Sequence, residues 1–506
     1  MSNGQGAFTV DLDDIQGLLA FGYGKLKEAS FLLLDVRDAT AAREWLSRCT
    51  VNNAVKLDSA PPTALHVALS CPGLRALGVP EDIVQGFSPE FVAGMSSDES
   101  RARRLGDVGN NDPAYWHWGN ASEVVPHVVV LLYAVKDRLA AWQDKVLTEC
   151  AAGFTLVKCL TTTDMDGHEA FGFRDGISEP RIDWDRERAA VDQELREYTN
   201  IACLGEFVLG YPNEYGEYTE RPLLDAQRDP GGQLPRAEDE PDMADLGRNG
   251  SYLVLRQLRQ DVGGFWQFVD RVADGDAAAR EHLAEAMVGR TTEGDALIPT
   301  GERIPGEQDP RNTFTYRGDE EGLHCPIGAH IRRSNPRNTD LPPGANGFFS
   351  WAIRTLGFDA DALANDHVSS TRFHRLMRRG REYGTRQTLS QALVAPPEPA
   401  HTDRTYDGTG LHFICLAANI TRQFEFVQSA WLAGVRFDSL HGESDPLLGN
   451  RQPDPIGAPT DSFSIPVANG CDRRVTGLPQ FITVIGGGYF FMPGIRALRF
   501  LSKVKP

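Results

Sequence analysis

The chain has 506 residues, with 70 acidic against 51 basic side chains and a formal net charge of −19. That balance argues against a nucleic-acid binder, which needs a concentrated positive face for phosphate. The eight cysteines are scattered with no Cys-x-x-Cys, which rules out a disulfide framework and a covalently attached c-type haem.

Phe31 to Val36 is a short apolar run and reads as a buried strand. Asp38 can cap the segment after it, where Ala42, Trp45, Leu46 and Cys49 recur at helical spacing. Leu65 to Leu69 and His127 to Val135 read as strands, residues 139–150 as a helix, and Phe154 to Leu160 as a strand again. Residues 227–247 contain Asp-Pro-Gly-Gly and a run of acidic residues and prolines, so an exposed connection is expected there. Beyond it the order partly recurs: a strand at 251–257, a helix at 264–273, a strand at 411–417, a helix at 421–432, and closing strand material at 481–491. Two halves of like order suggest a duplicated α+β unit with antiparallel sheets, the ferredoxin-like arrangement. The division expected is an N-terminal domain over 1–226, the connection over 227–247, and a C-terminal domain over 248–506. With no basic-then-apolar leader and no run near the ~20 apolar residues of a membrane span, the expected location is cytoplasmic and no membrane is involved.

The chemistry concentrates in Leu323-His-Cys-Pro-Ile-Gly-Ala-His-Ile-Arg-Arg-Ser-Asn-Pro-Arg337. Two histidines and a cysteine, ligands a transition metal prefers, are followed by three arginines within seven positions of His330. An imidazole on iron with cations for two propionates would use such a stretch. Zinc is the rival: His324, Cys325 and His330 could supply three ligands, although His168-Glu169 fails to complete His-Glu-x-x-His because residue 172 is glycine.

Two further segments are Phe171-Gly-Phe-Arg-Asp-Gly-Ile-Ser-Glu-Pro180 and His374-Arg-Leu-Met-Arg-Arg-Gly-Arg-Glu-Tyr-Gly384. With these, and with residues 411–428 and 487–494, the sequence resembles the dye-decolourising peroxidases, in their long bacterial and fungal branch. The shared signatures are Gly-x-x-Asp-Gly, a histidine in an Ala-His-Ile-Arg context, and Arg-Arg-Gly downstream, in that order. The resemblance implies two ferredoxin-like domains with haem b held between them, mainly by the C-terminal one. It implies a peroxidase that uses hydrogen peroxide to oxidise dyes and phenols through high-valent iron, and it admits Mn²⁺ as a reductant and a homo-oligomer.

Carried over by that resemblance, His330 is the axial iron ligand, with His324 its local rival. Asp175 is the distal acid/base and Arg378 the distal cation, with Arg379 adjacent; in an extended segment the two arginines would point opposite ways. Arg332, Asn335 and Arg337 are candidates for the propionates. Glu425 is the candidate acid behind the axial histidine; its plain alternative is a surface ion pair with Arg422 at helical spacing. Glycines 172 and 176 would allow unusual φ values and close approach of the backbone to the haem plane. Tyr115, Trp116, Trp118 and Tyr383 are aromatic groups that either pack or relay oxidising equivalents. The 48 positions between His330 and Arg378 are long for the family and are expected to affect access to the haem. A non-catalytic haem carrier or iron-release protein on the same fold is the alternative, and it would have no need of Asp175 and Arg378.

Overall fold

The structure is a computed structural model that describes residues 9–120, 125–187, 198–298, 304, 307, 309–339, 370–396 and 406–504. The segment between His330 and Arg378, expected to affect access to the haem, lies mostly outside these residues, at 340–369.

In the N-terminal half, β1 (Glu28–Val36), β2 (Thr63–Leu69), β3 (Val128–Ala134) and β4 (Phe154–Thr161) form antiparallel pairs in the order β2-β3-β1-β4. Helix α1 (Ala39–Arg48) follows β1, and its first turn is closed by Asp38, whose carboxylate accepts the Ala41 amide at 2.8 Å. It buries Ala42, Trp45 and Leu46, the stripe expected from their spacing. Helix α2 (Leu139–Cys150) bridges β3 and β4.

The C-terminal half repeats the plan. Strand β5 (Ser251–Gln260) leads into α3 (Val262–Val272) and α4 (Ala277–Val288). After the five-residue α5 (His330–Ser334) come the short β6 (Met377–Arg378) and β7 (Arg381–Tyr383), then β8 (Gly410–Ala417) and β9 (Ile482–Met492). Both short strands pair with β8, β8 with β5, and β5 with β9. If β6 and β7 count as one interrupted strand, each half carries its first and third strands in the middle, as the duplicated ferredoxin-like reading expects. The halves join where Phe491 of β9 meets Leu69 of β2, giving one nine-stranded sheet. The expected helix at 421–432 is wound wide: the Glu425 amide reaches the Ile420 carbonyl and that of Ala433 reaches Gln428, each at 2.9 Å and five residues back.

Residues 227–247 depart from the expected exposed connection. Leu234, Ala244 and Leu246 lie in the core, and Asp245, fully buried, accepts Arg221 Nε at 2.6 Å. Glu238 accepts Arg186 at 2.9 Å and Arg248 at 2.6 Å. Several of the charges that suggested a solvated run are paired with arginines from flanking segments, and a few well-spaced apolar side chains anchor the rest. Among the described residues, no helix is long and apolar enough to cross a membrane.

Candidate active site

The loop that carries Asp175 is shaped by its own backbone. Glu169 accepts the amides of Phe171 (3.0 Å) and Phe173 (2.9 Å) and the side-chain amide of Gln260 (2.6 Å). Burial, only partly offset by those bonds, pushes the Glu169 carboxyl up to about 7. Gly172 and Gly176 sit at φ +100° and +74°, where other residues are strained, and a Cβ on either would meet no protein atom within 4 Å. Both glycines are therefore required by conformation and not by close packing against protein.

Asp175 Oδ1 accepts the Gly176 amide at 2.7 Å and Arg378 Nη1 at 3.0 Å. Arg378 arrives on β6, paired with Cys415 of β8, and the pleat turns its neighbour the other way. Arg379 donates to the carbonyls of Leu18 (2.7 Å) and Leu19 (3.0 Å). A second carboxylate, Glu179, accepts Arg378 Nη2 at 3.0 Å and the Arg378 amide at 2.8 Å. Burial alone would raise the Asp175 carboxyl, but Arg378 and the Gly176 amide outweigh it and hold the group below its ordinary value. Burial likewise opposes the charge on Arg378, and Asp175 and Glu179 more than restore it.

His330 opens α5. Its Nδ1 stands 3.0 Å from Oδ2 of Asp445, a fully buried carboxylate whose Oδ1 accepts the amides of Leu447 (2.9 Å) and Leu448 (2.8 Å). Burial disfavours the charged imidazole, yet Asp445 outweighs it and raises the His330 pKa, while the Asp445 carboxyl is lowered in return against its own burial. The expected partner, Glu425, is elsewhere: it pairs with Arg101 at 3.1 Å and accepts the Tyr489 hydroxyl at 2.9 Å. Nor does Glu425 pair with Arg422, which binds Glu206 at 2.9 Å. In the wide helix its side chain is buried on Arg101 and Tyr489, while the imidazole is engaged by Asp445.

His330, Asp175, Arg378 and Glu179 line one interior cavity of about 250 Å³, walled by apolar side chains such as Phe173, Leu258, Phe413 and Val484. Asn335 and Arg337 also line it. Arg337 is heavily bonded, to the carbonyls of Asn312 (2.9 Å) and Phe314 (2.6 Å) and to the Asn312 side chain (2.6 Å). Arg332 does not belong with them. Two residues past His330 a helix points about 200° away, and Arg332 is spent on the carbonyls of Asp319 and Cys325 (2.9 Å each) under the Tyr316 ring. Arg290, which the sequence did not single out, takes a place on the cavity. It donates to Ser178 Oγ at 2.7 Å and to two carbonyls, and among the described residues no carboxylate pairs with it. Burial, and then the neighbouring Arg337, push its guanidinium down to about 10.

These groups fit a haem. The cavity has apolar walls, an imidazole whose Nδ1 is engaged and whose Nε2 is left for a metal, and a buried cation that lacks a carboxylate. The other imidazole on the cavity, His374, is backed by the Arg422 carbonyl and stacked 3.7 Å from Phe426. The zinc set does not assemble: among the described residues no three His, Cys, Asp or Glu side chains form a metal site, and burial pushes the Cys325 thiol up to about 12. Of the four aromatic candidates, Trp116, Trp118 and Tyr383 are buried and hydrogen-bonded, and Tyr115 is exposed.

No protein-family model matches the chain. It is 28% identical to Peroxidase 2 of Mycetinis scorodonius, over 97% of this chain and 87% of that protein. It is also 28% identical to the multifunctional dye peroxidase DyP2 of an Amycolatopsis species, over 96% and 92%. Among solved structures, a dye-decolourising peroxidase of Auricularia auricula-judae complexed with imidazole superposes with a TM-score of 0.69 at 23% identity, covering 98% of this chain and 100% of that one.

Proposed function

We propose that the chain, which is similar over 97% of its length to a dye-decolourising peroxidase, is a haem b peroxidase that uses hydrogen peroxide to oxidise dyes and phenols. The observation that carries this reading is the convergence on one cavity of a carboxylate-backed imidazole, His330, and an aspartate–arginine pair, Asp175 and Arg378. The cavity draws on segments from residue 111 to 200 and from 256 to 484, which supports a cofactor held between units divided near 226 and 248.

Haem, when bound, supplies the redox-active iron at which peroxide is reduced. His330 would hold that iron through Nε2. Asp445 accepts the Nδ1 proton, fixing the tautomer and making Nε2 a stronger donor. Asp175 serves as acid and base. Its Oδ1 is taken by Gly176 and Arg378, so Oδ2 is the oxygen that takes a proton from one peroxide oxygen and returns it to the other, which leaves as water. Arg378 offers positive charge to the departing oxygen. Arg290, Arg337 and Asn335, which line the cavity, would receive the propionates; Arg332 and Glu425 are engaged elsewhere. A dye-decolourising peroxidase solved in complex with 2,6-dimethoxyphenol supports phenols as one class of reductant.

The test is an absorption spectrum of purified, haem-supplied protein. A Soret band that changes within seconds of adding peroxide is expected, and His330→Ala should lose it. A protein that takes up no haem, or takes it up equally well without the His330 imidazole, refutes the proposal.

A further inference from the structure

Asp175 and Glu179 lie on one loop, four residues apart, and both reach the single guanidinium of Arg378. Glu179 uses both of its oxygens: Oε1 on Nη2 at 3.0 Å, Oε2 on the Arg378 amide at 2.8 Å, with Arg379 Nη1 3.9 Å from the latter. A guanidinium left to one carboxylate tends to engage it by two parallel bonds. Here it does not, because one edge is already occupied; Asp175 is bound through Oδ1 alone. The group of three carries one positive and two negative charges, a net −1 where an isolated Asp–Arg pair would be neutral.

We propose that Glu179 is a positioning residue: by holding the backbone and one edge of Arg378, it restricts the guanidinium to a single bond with Asp175 and leaves Asp175 Oδ2 open for proton transfer. The proposal rests on the reading of Asp175 and Arg378 as the reacting pair. Without Glu179, Arg378 closes on both Asp175 oxygens, and the cavity loses one negative charge.

The loss of charge is read by fluoride, a small anion that binds the open face of ferric haem, titrated optically on haem-loaded protein at one pH. Glu179→Gln should bind fluoride about tenfold more tightly, the scale of one unit charge a few ångströms from an anion in a partly buried site. Glu179→Asp, which keeps the charge on a shorter arm, should return the affinity to within about twofold of the parent. Glu179→Ala removes the charge by another route and should match Gln if Gln misfolds. Parental fluoride affinity in the neutral variants overturns the proposal. So does a larger departure for Asp than for Gln, which would mark a role in packing. Failure of both neutral variants to fold also counts against it, since the glutamate would then be a structural ion-pair member. Asp175→Asn separates the two readings: full peroxide turnover in that variant sinks the reacting pair itself, whereas its inactivity beside a parental Glu179→Gln sinks only the positioning role.

Discussion

Replacing Asp445 by Asn removes a fully buried negative charge that sits 3.0 Å from the His330 imidazole and keeps nearly the same shape. The orientation of the new amide is determined in advance. Leu447 and Leu448 both donate to Oδ1, so the amide oxygen stays on those two amides and its NH₂ faces His330 Nδ1. That reverses the hydrogen bond: Nδ1 must accept, the ring proton moves to Nε2, and the metal-binding nitrogen is compromised. A hydrogen bond to a charged group contributes about 1.5–3 kcal/mol. If that energy favours the ferric over the ferrous state, its loss raises the haem potential by about 60–130 mV, at 59 mV for each tenfold change in a one-electron couple. Haem affinity should also fall about 10- to 100-fold, the usual effect of losing a partner behind a metal ligand. Spectroelectrochemical titration of the loaded protein measures the first quantity and haem titration of the apoprotein the second. Glu425→Gln is the control: it disturbs the Arg101 and Tyr489 contacts and should leave the potential where it was. A potential within about 20 mV of the parent in the Asp445 variant, or an equal shift in the Glu425 variant, would refute the assignment of the proximal acid.

Asp175→Asn should slow peroxide-driven dye oxidation by about 10²- to 10⁴-fold while leaving the Soret absorbance per protein unchanged, and stopped-flow traces decide it. The pH dependence follows in sign from the same carboxylate. Its pKa is lowered in the folded protein, chiefly by Arg378 acting against burial, so the basic form survives into acid solution and is lost only as pH falls through that lowered value. Dye oxidation should be best below neutral pH, and Arg378→Gln should move the acid limb upward; an optimum at about pH 7–8 with loss towards about pH 5 contradicts the argument. Gly172→Ala should destabilise the protein by about 1–2 kcal/mol through backbone strain alone, and an unchanged urea midpoint would show that the positive φ is not a constraint.

The strands were legible because they are buried runs: residues 31–34 of β1 and every position of β3 are inaccessible to solvent, and such apolar stretches leave a plain trace in sequence. The order of the two halves followed from them. The carboxylate behind His330 was not legible, because Asp445 is 115 residues away and reaches it only through the folded chain. Glu425, the candidate in the expected helix at 421–432, is claimed by Arg101, 324 positions away in sequence. Proximity in sequence groups the arginines behind His330, but the short helix that forms there turns Arg332 away from the cavity, while Arg337, past its end, lines it. Arg290 gave no signal, since nothing local distinguishes a buried cation without a counter-ion from a surface one.

Strand β9 comes last in chain order among the strands of the sheet, yet it lies inside it, between β5 and β2, and contributes Ile482 and Val484 to the cavity wall. On the ribosome the N-terminal half can assemble its four strands early, but the two halves of the sheet are paired strand to strand only once residue 491 has emerged. A nascent chain stalled before β9 would present an unfinished sheet edge and a cavity open on the side that Ile482 and Val484 close.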